Sequence, residues 1–269
     1  MIRILDGKKA RDFYKNQLVE RAKKCAPGLA IIQIGENASS TVYINQKKKF
    51  GHEIGVRVEH KMFSETADQA DIMSHIALLN LRSDIHGIII QLPVPPRFDT
   101  DKLLSHIDPR KDVDGLVQNS IHTPATAKGV KALLDFYTIP TRDKKVVVIG
   151  RSRLVGKPLA QLFTREGAVV SVCHSETPNT KEISRTADIL IVAIGKPHMI
   201  THEYIKPGAV VVDVGITNIE GKVVGDVDYE DVVPTVSAIT PVPGGVGPMT
   251  VLSLFDNLIH SAEMACRER

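Results

Sequence analysis

Val146-Val147-Val148-Ile149-Gly150-Arg151-Ser152-Arg153-Leu154-Val155-Gly156-Lys157-Pro158 is the stretch on which the fold turns. A short run of β-branched residues stops at a glycine, and a segment able to form a helix follows from Pro158 to Arg165. The runs Val169 to Cys173, Ile189 to Ile194 and Val210 to Val214 repeat the first half of that pattern, each with a glycine or polar residue at its carboxyl end. Runs so short and so rich in Val and Ile read as parallel strands buried on both faces. Thr180 to Ala187 supplies a second helical crossover, and the alternation is that of a doubly wound sheet.

Upstream the same alternation recurs. A helix is expected from residues 8 to 24, a strand from Leu29 to Ile34, and a helix from Ser39 to about Glu53. Val56 to Met62 alternates apolar and polar, Ala67 to Leu81 has helical period, and the apolar run His86 to Leu92 is closed by Pro93-Val94-Pro95-Pro96. A helix over Lys128 to Tyr137 leads into the second series, and another from Pro248 to Cys266 returns after it. The expected architecture is therefore two α/β domains, the second a Rossmann-type doubly wound parallel sheet. Residues 1–121, completed by 249–269, form the first, and residues 122–248 form the second.

Composition narrows the function classes. The 269 residues are 43% hydrophobic and 24% charged, the balance of a folded globular chain. Lys and Arg number 34 against 31 Asp and Glu, and a net charge of +3 is too small for a surface built to neutralise nucleic-acid phosphates. The longest apolar runs fall far short of the roughly 18 residues of a membrane helix. The amino terminus carries no secretory pattern, so a cytoplasmic location is expected. Three cysteines, Cys25, Cys173 and Cys266, offer neither a disulfide framework nor a zinc knuckle. The ten histidines form no HxH or HExxH pattern, and no metal site is expected.

The loop from Gly150 to Gly156 sits between strand and helix, where backbone N–H groups and a helix dipole can meet a nucleotide pyrophosphate. Its spacing is neither GxGxxG nor that of a P-loop, and a plain strand-to-helix turn is the competing reading. The next strand ends at Cys173-His174-Ser175 without the carboxylate that holds the ribose of NAD. NADP is favoured, with Arg151 and Ser175 placed for its 2′-phosphate and Glu176 as a countervailing charge.

Tyr43 and Lys47 stand four apart on one helix face, so phenol and ammonium can touch. A desolvated lysine moves protons near neutrality, whereas Lys48 and Lys49 read as a solvated face. A YxxxK pair also occurs in short-chain dehydrogenases, but there it follows the nucleotide loop and here it precedes Gly150. Gln91 ends an apolar strand before Leu92-Pro93, where a buried amide needs partners. In Lys111-Asp112-Val113-Asp114-Gly115, Asp112 reads as a turn residue and Asp114 as a carboxylate able to face a ligand. Thr240-Pro241-Val242-Pro243-Gly244-Gly245-Val246-Gly247-Pro248-Met249-Thr250 is too apolar and stiff for a linker, and its glycines let backbone approach a ligand.

In this order the motifs resemble the FolD family of bifunctional methylenetetrahydrofolate dehydrogenase/cyclohydrolases. The resemblance runs through Gly35-Glu36-Asn37-Ala38-Ser39 with Tyr43 and Lys47, Gln91-Leu92-Pro93-Val94-Pro95, the Asp112–Asp114 loop and Gly150-Arg151-Ser152. It continues through Asp213-Val214-Gly215-Ile216, Gly225-Asp226-Val227-Asp228 and the Pro241 to Thr250 loop. It implies two α/β domains with a cleft between them, oxidation of 5,10-methylenetetrahydrofolate with NADP, and hydrolysis of the methenyl product to 10-formyltetrahydrofolate. Lys47 is then the proton-handling residue, Tyr43 and Gln91 tune it, and Asp114 hydrogen-bonds the pterin. Leu92, Pro243, Gly244 and Gly245 line the folate side, and Gly150, Arg151, Ser152, Ser175 and Ile216 hold the cofactor. A homodimer through the second domain is also implied.

The chain departs from the family after Gly115. A His-Pro loop and an Asn-x-Gly turn are replaced by Leu116-Val117-Gln118-Asn119-Ser120, Pro124 arrives early, and Ala125 stands where a cysteine is usual. A dehydrogenase without cyclohydrolase activity and a non-catalytic nucleotide-binding relative are the alternatives. The joint presence of Tyr43, Lys47, Gln91 and Asp114 argues against the second.

Overall fold

The computed structural model describes residues 2–267. In chain order the strands and α-helices are β1 (Arg3–Ile4), α1 (Gly7–Cys25), β2 (Gly28–Ile34), α2 (Ala38–Glu53), β3 (Arg57–Phe63), α3 (Gln69–Leu81) and β4 (Gly87–Ile90). Then come α4 (Thr100–Ser105), α5 (Ala125–Phe136), β5 (Lys145–Ile149), α6 (Gly156–Arg165), β6 (Val169–Cys173), α7 (Thr180–Ser184) and β7 (Ile189–Val192). The series closes with β8 (Val210–Asp213), β9 (Thr217–Ile219), β10 (Lys222–Val224), α8 (Tyr229–Val232), β11 (Ala238–Ile239) and α9 (Val246–Arg267). Two compact units result: Phe13–Ala125 with Val251–Arg269, and Met1–Asp12 with Thr126–Thr250. Residues before Asp12 thus group with the unit that contains Gly150.

The unit built on Phe13–Ala125 holds a three-stranded parallel sheet in the order β3-β2-β4. Every residue of β2 is buried, as a central strand of Leu, Ala and Ile requires. Ile32 and Ile90 of the sheet pack with Ile72 and Ile76 of α3 and Leu103 of α4 in one core. The helix α2 begins where Asn37, in extended backbone, accepts the Ser40 amide at 2.9 Å, two residues before the expected cap. Its packing needs Gly51, because a Cβ there would stand 2.7 Å from Val58 and 3.0 Å from the Phe255 ring. Phe50 and Phe255 meet edge to face at 5.4 Å, which joins α2 to α9 within this unit.

The other unit carries six strands in the order β1-β11-β8-β7-β5-β6, all parallel. The chain leaves β5 to one side for β6 and returns past it for β7. The carboxyl end of β5 is therefore a topological switch point, where open α/β sheets bind ligands. A hairpin, β9 and β10, turns at Glu220 and Gly221, both at positive φ.

Two strand expectations change. The strand β6 is an edge and not a buried strand: only Cys173 is buried, and Val169 and Val172 are exposed at 62% and 38%. Val-rich composition reports β propensity and cannot tell a central position from an edge. The strand expected over Ile189 to Ile194 stops at Val192, because the amides of Ile194 and Gly195 turn onto Asp226 Oδ2 at 2.7 and 2.9 Å. The short N-terminal strand β1, paired with β11, has too few residues to show a period.

Candidate active site

Within the unit built on Phe13–Ala125, α2, β4 and the loop after β4 converge. Lys47 lies on α2 and is 7% exposed. Its Nζ donates to Gln91 Oε1 at 2.9 Å. Gln91 continues the β4 ladder by donating its amide to Ile32 at 2.8 Å, and its Nε2 donates to the Leu92 carbonyl at 2.8 Å. That second bond orients the side-chain amide, since only Nε2 can serve a carbonyl and only Oε1 can take an ammonium. Burial pushes the Lys47 ammonium below the ordinary lysine value, and the Asp114 charge opposes the shift.

Tyr43 shares the α2 face one turn before Lys47. Burial raises its phenol above the ordinary value, and its hydroxyl makes no hydrogen bond among the described residues. Lys48 is not on a solvated face: its Nζ lies 2.9 Å from His60 Nδ1, and His60 Nε2 lies 3.0 Å from Gln33 Oε1. Because an ammonium only donates, Nδ1 accepts and Nε2 carries the proton, so His60 is neutral. Burial and then Lys48 hold its pKa down. Gln33 Nε2 donates onward to the Gly35 carbonyl at 3.1 Å and to Thr41 Oγ1 at 3.4 Å, and the second bond ties the end of β2 to the first turn of α2.

Asp112 is 1% exposed and accepts the amides of Gly115 and Val117 at 3.1 and 2.7 Å. Burial pushes its carboxyl up to about 6. It is the turn residue, and Asp114 stands half-buried beside it. Lys111 donates to the carbonyls of Leu79, Asn80 and Arg82, closing the end of α3. A cavity of about 390 Å³ in this unit, lined by Arg82, Ile85, His86, Arg110 and Met264 among others, contains none of the expected site residues.

The second cluster lies in the six-stranded unit. Gly150 has φ of 129°, and a Cβ there would stand 2.2 Å from the Ala193 carbonyl. At Gly156 a Cβ would stand 2.1 Å from the Gly150 carbonyl, so the two glycines let α6 close onto the end of β5. Ser152 Oγ accepts the amides of Val155 and Gly156 at 3.3 and 3.2 Å, which makes it the residue that closes this turn. Arg151 pairs with Glu176 at 2.8 Å, with both side chains exposed. Ser175 and Ile216 are exposed at strand ends. Gly244, at φ of 109°, accepts the Gly7 amide at 2.9 Å, and Gly245 donates to Pro241 at 2.8 Å.

Two carboxylates tie this unit's strand ends together. Asp213 accepts the amides of Gly215, Asp226 and Val227 at 2.9 to 3.1 Å, and its own amide donates to Thr240 Oγ1 at 2.8 Å. Burial pushes the Asp213 carboxyl up to about 6. The Asp213 carboxylate thus sets the loop carrying Ile216, and its backbone amide holds Thr240 at the start of the loop carrying Pro243. In the sequence this acid shows only as an aspartate before Val-Gly. Among the described residues no cluster of three or more His, Cys, Asp or Glu side chains is placed to hold a metal ion.

The geometry is that of a buried amine beside an amide and a carboxylate in one unit, and a nucleotide-type glycine turn in the other. The family model of the tetrahydrofolate dehydrogenase/cyclohydrolase catalytic domain matches residues 5–114, and that of its NAD(P)-binding domain matches residues 124–266. The chain belongs to this family. The unmatched residues 115–123 are the segment whose sequence departs from the family pattern. A relative named bifunctional protein FolD, from Lachnoclostridium phytofermentans, is 44% identical over 98% of this chain and 99% of its own. The crystal structure of the bifunctional FolD of Campylobacter jejuni matches with a TM-score of 0.94 at 38% identity, covering 98% of this chain and 99% of that one. The Trypanosoma brucei FolD structure, complexed with NADP and an inhibitor, matches with a TM-score of 0.93 at 33% identity over 99% of both chains.

Proposed function

We propose that this chain oxidises 5,10-methylenetetrahydrofolate with NADP and hydrolyses the resulting methenyl cation to 10-formyltetrahydrofolate. The observation that carries the reading is Lys47, a buried amine held by Gln91 with its pKa lowered. Water adding to the methenyl carbon gives one proton to Lys47 Nζ in its neutral form; as the carbon–N5 bond then breaks, the adduct's hydroxyl proton goes to N5 and the formyl C=O forms. Gln91 Oε1 holds the amine, and the Asp114 charge limits how far its pKa falls. Asp114 is also the hydrogen-bonding partner for the pterin, with Tyr43 and Leu92 beside it.

The residues of the second unit fit a dinucleotide. Gly150 and Gly156 let α6 close onto the end of β5, so the positive end of the helix dipole meets a pyrophosphate lying along this turn. Ser152, Ser175 and Ile216 complete the contacts, with Pro243, Gly244 and Gly245 on the folate side. NADP supplies the hydride acceptor when bound. Arg151 serves its 2′-phosphate by exchanging Glu176 for that dianion.

We also assign a homodimer joined through the β6 edge, where Val169 and Val172 are exposed beside unpaired backbone. A reducing, cytoplasmic setting agrees with three free cysteines, and no described helix is long and apolar enough to cross a membrane. The test of the function is an absorbance time course of the purified protein with methylenetetrahydrofolate and NADP. Reduced cofactor must form, and the methenyl intermediate must decay faster than it does without protein. Reduced cofactor with uncatalysed methenyl decay identifies a dehydrogenase alone. Absence of both refutes the reading.

A further inference from the structure

The loop that carries Asp114 is held from a helix far away in sequence. Asn257, on α9, is 1% exposed. Its Nδ2 donates to the Val113 carbonyl and to the Thr123 carbonyl, each at 3.0 Å. These carbonyls bracket the loop: Val113 immediately precedes Asp114, and Thr123 precedes the point where the Ala125 amide donates to the Asp114 carbonyl at 3.0 Å. Inside the bracket the Asp112 carboxylate closes the turn onto Gly115 and Val117. One helical turn beyond Asn257, Ser261 Oγ donates to the Arg110 carbonyl at 2.8 Å and lies 2.7 Å from His122 Nε2. At its entry the loop is registered on β4, with the Ile88 amide donating to the Lys111 carbonyl at 2.8 Å.

A single side-chain amide that serves two carbonyls fixes two points of a loop at once, the Val113 bond buried and the Thr123 bond part-buried. The geometry points to Asn257 as the positioning residue for Asp114: α9 sets the carboxylate against Lys47 and the bound pterin through the short 115–123 loop. This assignment rests on the proposed folate reading for its consequence and on the hydrogen bonds alone for its mechanics. Asn257 touches no substrate in this scheme and acts through the backbone on either side of Asp114. Its loss is therefore felt at the folate, and NADP, whose residues lie in the other unit, binds as before.

The experiment compares the full-length protein with Asn257→Ala, Asn257→Asp and Ser261→Ala. Two readouts are taken, steady-state KM for each substrate and amide hydrogen exchange over residues 112–124. For Asn257→Ala, faster exchange confined to that segment is expected, with KM for methylenetetrahydrofolate raised about ten-fold, the equivalent of one lost hydrogen bond, and KM for NADP unchanged. Ser261→Ala produces the same pattern at smaller amplitude. Asn257→Asp keeps the shape and removes the donor, so it is impaired at neutral and alkaline pH. On acidification its buried carboxyl, raised by desolvation and by the two facing carbonyls, regains an O–H donor. Its KM relative to wild type at the same pH must fall as pH falls, a recovery that a packing role would not produce. Should Asn257→Ala not fold, the other two variants carry the same readouts. Fast loop exchange with unchanged folate KM, or unchanged exchange in all three variants, overturns the assignment. A wild-type protein that does not turn over methylenetetrahydrofolate refutes the folate reading instead, and the exchange measurement then judges the helix-to-loop tie by itself.

Discussion

Lys47→Met separates the catalytic from the structural consequences of burying an amine. Burial lowers the pKa of Lys47 from the ordinary value of 10.5. Between the folded value and 10.5 the unfolded chain holds this proton and the native chain does not. The unfolded state therefore binds more protons in that window, and native stability rises with pH across it. Below the folded value both states are protonated and the desolvated ammonium exerts its full cost; above 10.5 neither is protonated and the cost is gone. One such proton contributes a slope of up to about 1.4 kcal/mol per pH unit. Methionine matches the stem and cannot titrate, so the slope vanishes in the variant. The Gln91 Oε1 left without its donor costs about 1–3 kcal/mol, but that term is independent of pH. Urea unfolding of both proteins, followed by far-ultraviolet circular dichroism because the chain has no tryptophan, gives the difference in stability at a series of pH values. Wild type is expected to gain on the variant as pH rises toward 10.5. In the same variant, methenyl hydrolysis falls by about 100-fold or more, the usual worth of a positioned proton-transfer group. A stability difference that is flat with pH would refute the buried-amine argument, and undiminished hydrolysis would remove Lys47 from the chemistry.

Three further outcomes are expected. The Asp112 carboxyl, raised from 3.8 to about 6, is protonated in the native chain and ionised in the unfolded one between those values. Native stability therefore falls as pH climbs through that window, by on the order of 3 kcal/mol in total. Asp112→Asn flattens that part of the stability profile, and a profile unchanged by the substitution would count against the burial assigned to Asp112. Glu176→Gln frees Arg151 from its ion pair, so KM for NADP is expected to drop about three-fold while KM for NAD stays put, in line with the modest worth of an exposed pair; a parallel change for both cofactors contradicts the 2′-phosphate role. Val172→Lys places a charge on the exposed β6 edge and is expected to turn a dimer into a monomer in light scattering, whereas a dimer that persists moves the interface elsewhere.

Local pattern reached far into this protein. The end of β5 with its glycine turn, the pairing of Tyr43 and Lys47 on one helical face, and the amide at the end of β4 are each written in a few neighbouring residues. Asp112 as a turn residue was equally local, because an aspartate that closes onto Gly115 and Val117 needs only its own loop. The role of Lys48 was not legible: Lys48 and Lys49 look like a solvated face until His60 of β3 is seen to lie beside the first of them.

What the sequence by itself determined is the set of elements and the residue types at their ends, since periods of two and 3.6 residues and glycine turns act over short spans of chain. Tertiary structure alone decided that β6 is an edge, that Asp213 holds the loop of Asp226 and Val227, and that Asp226 holds the turn after β7. It alone also decided that Asn257, 144 residues beyond Val113, holds the loop of Asp114. Each depends on which distant backbone groups are left unpaired once the sheets have formed. A buried N–H or carbonyl must find a partner wherever the fold puts one, and no periodicity in the chain records where that will be.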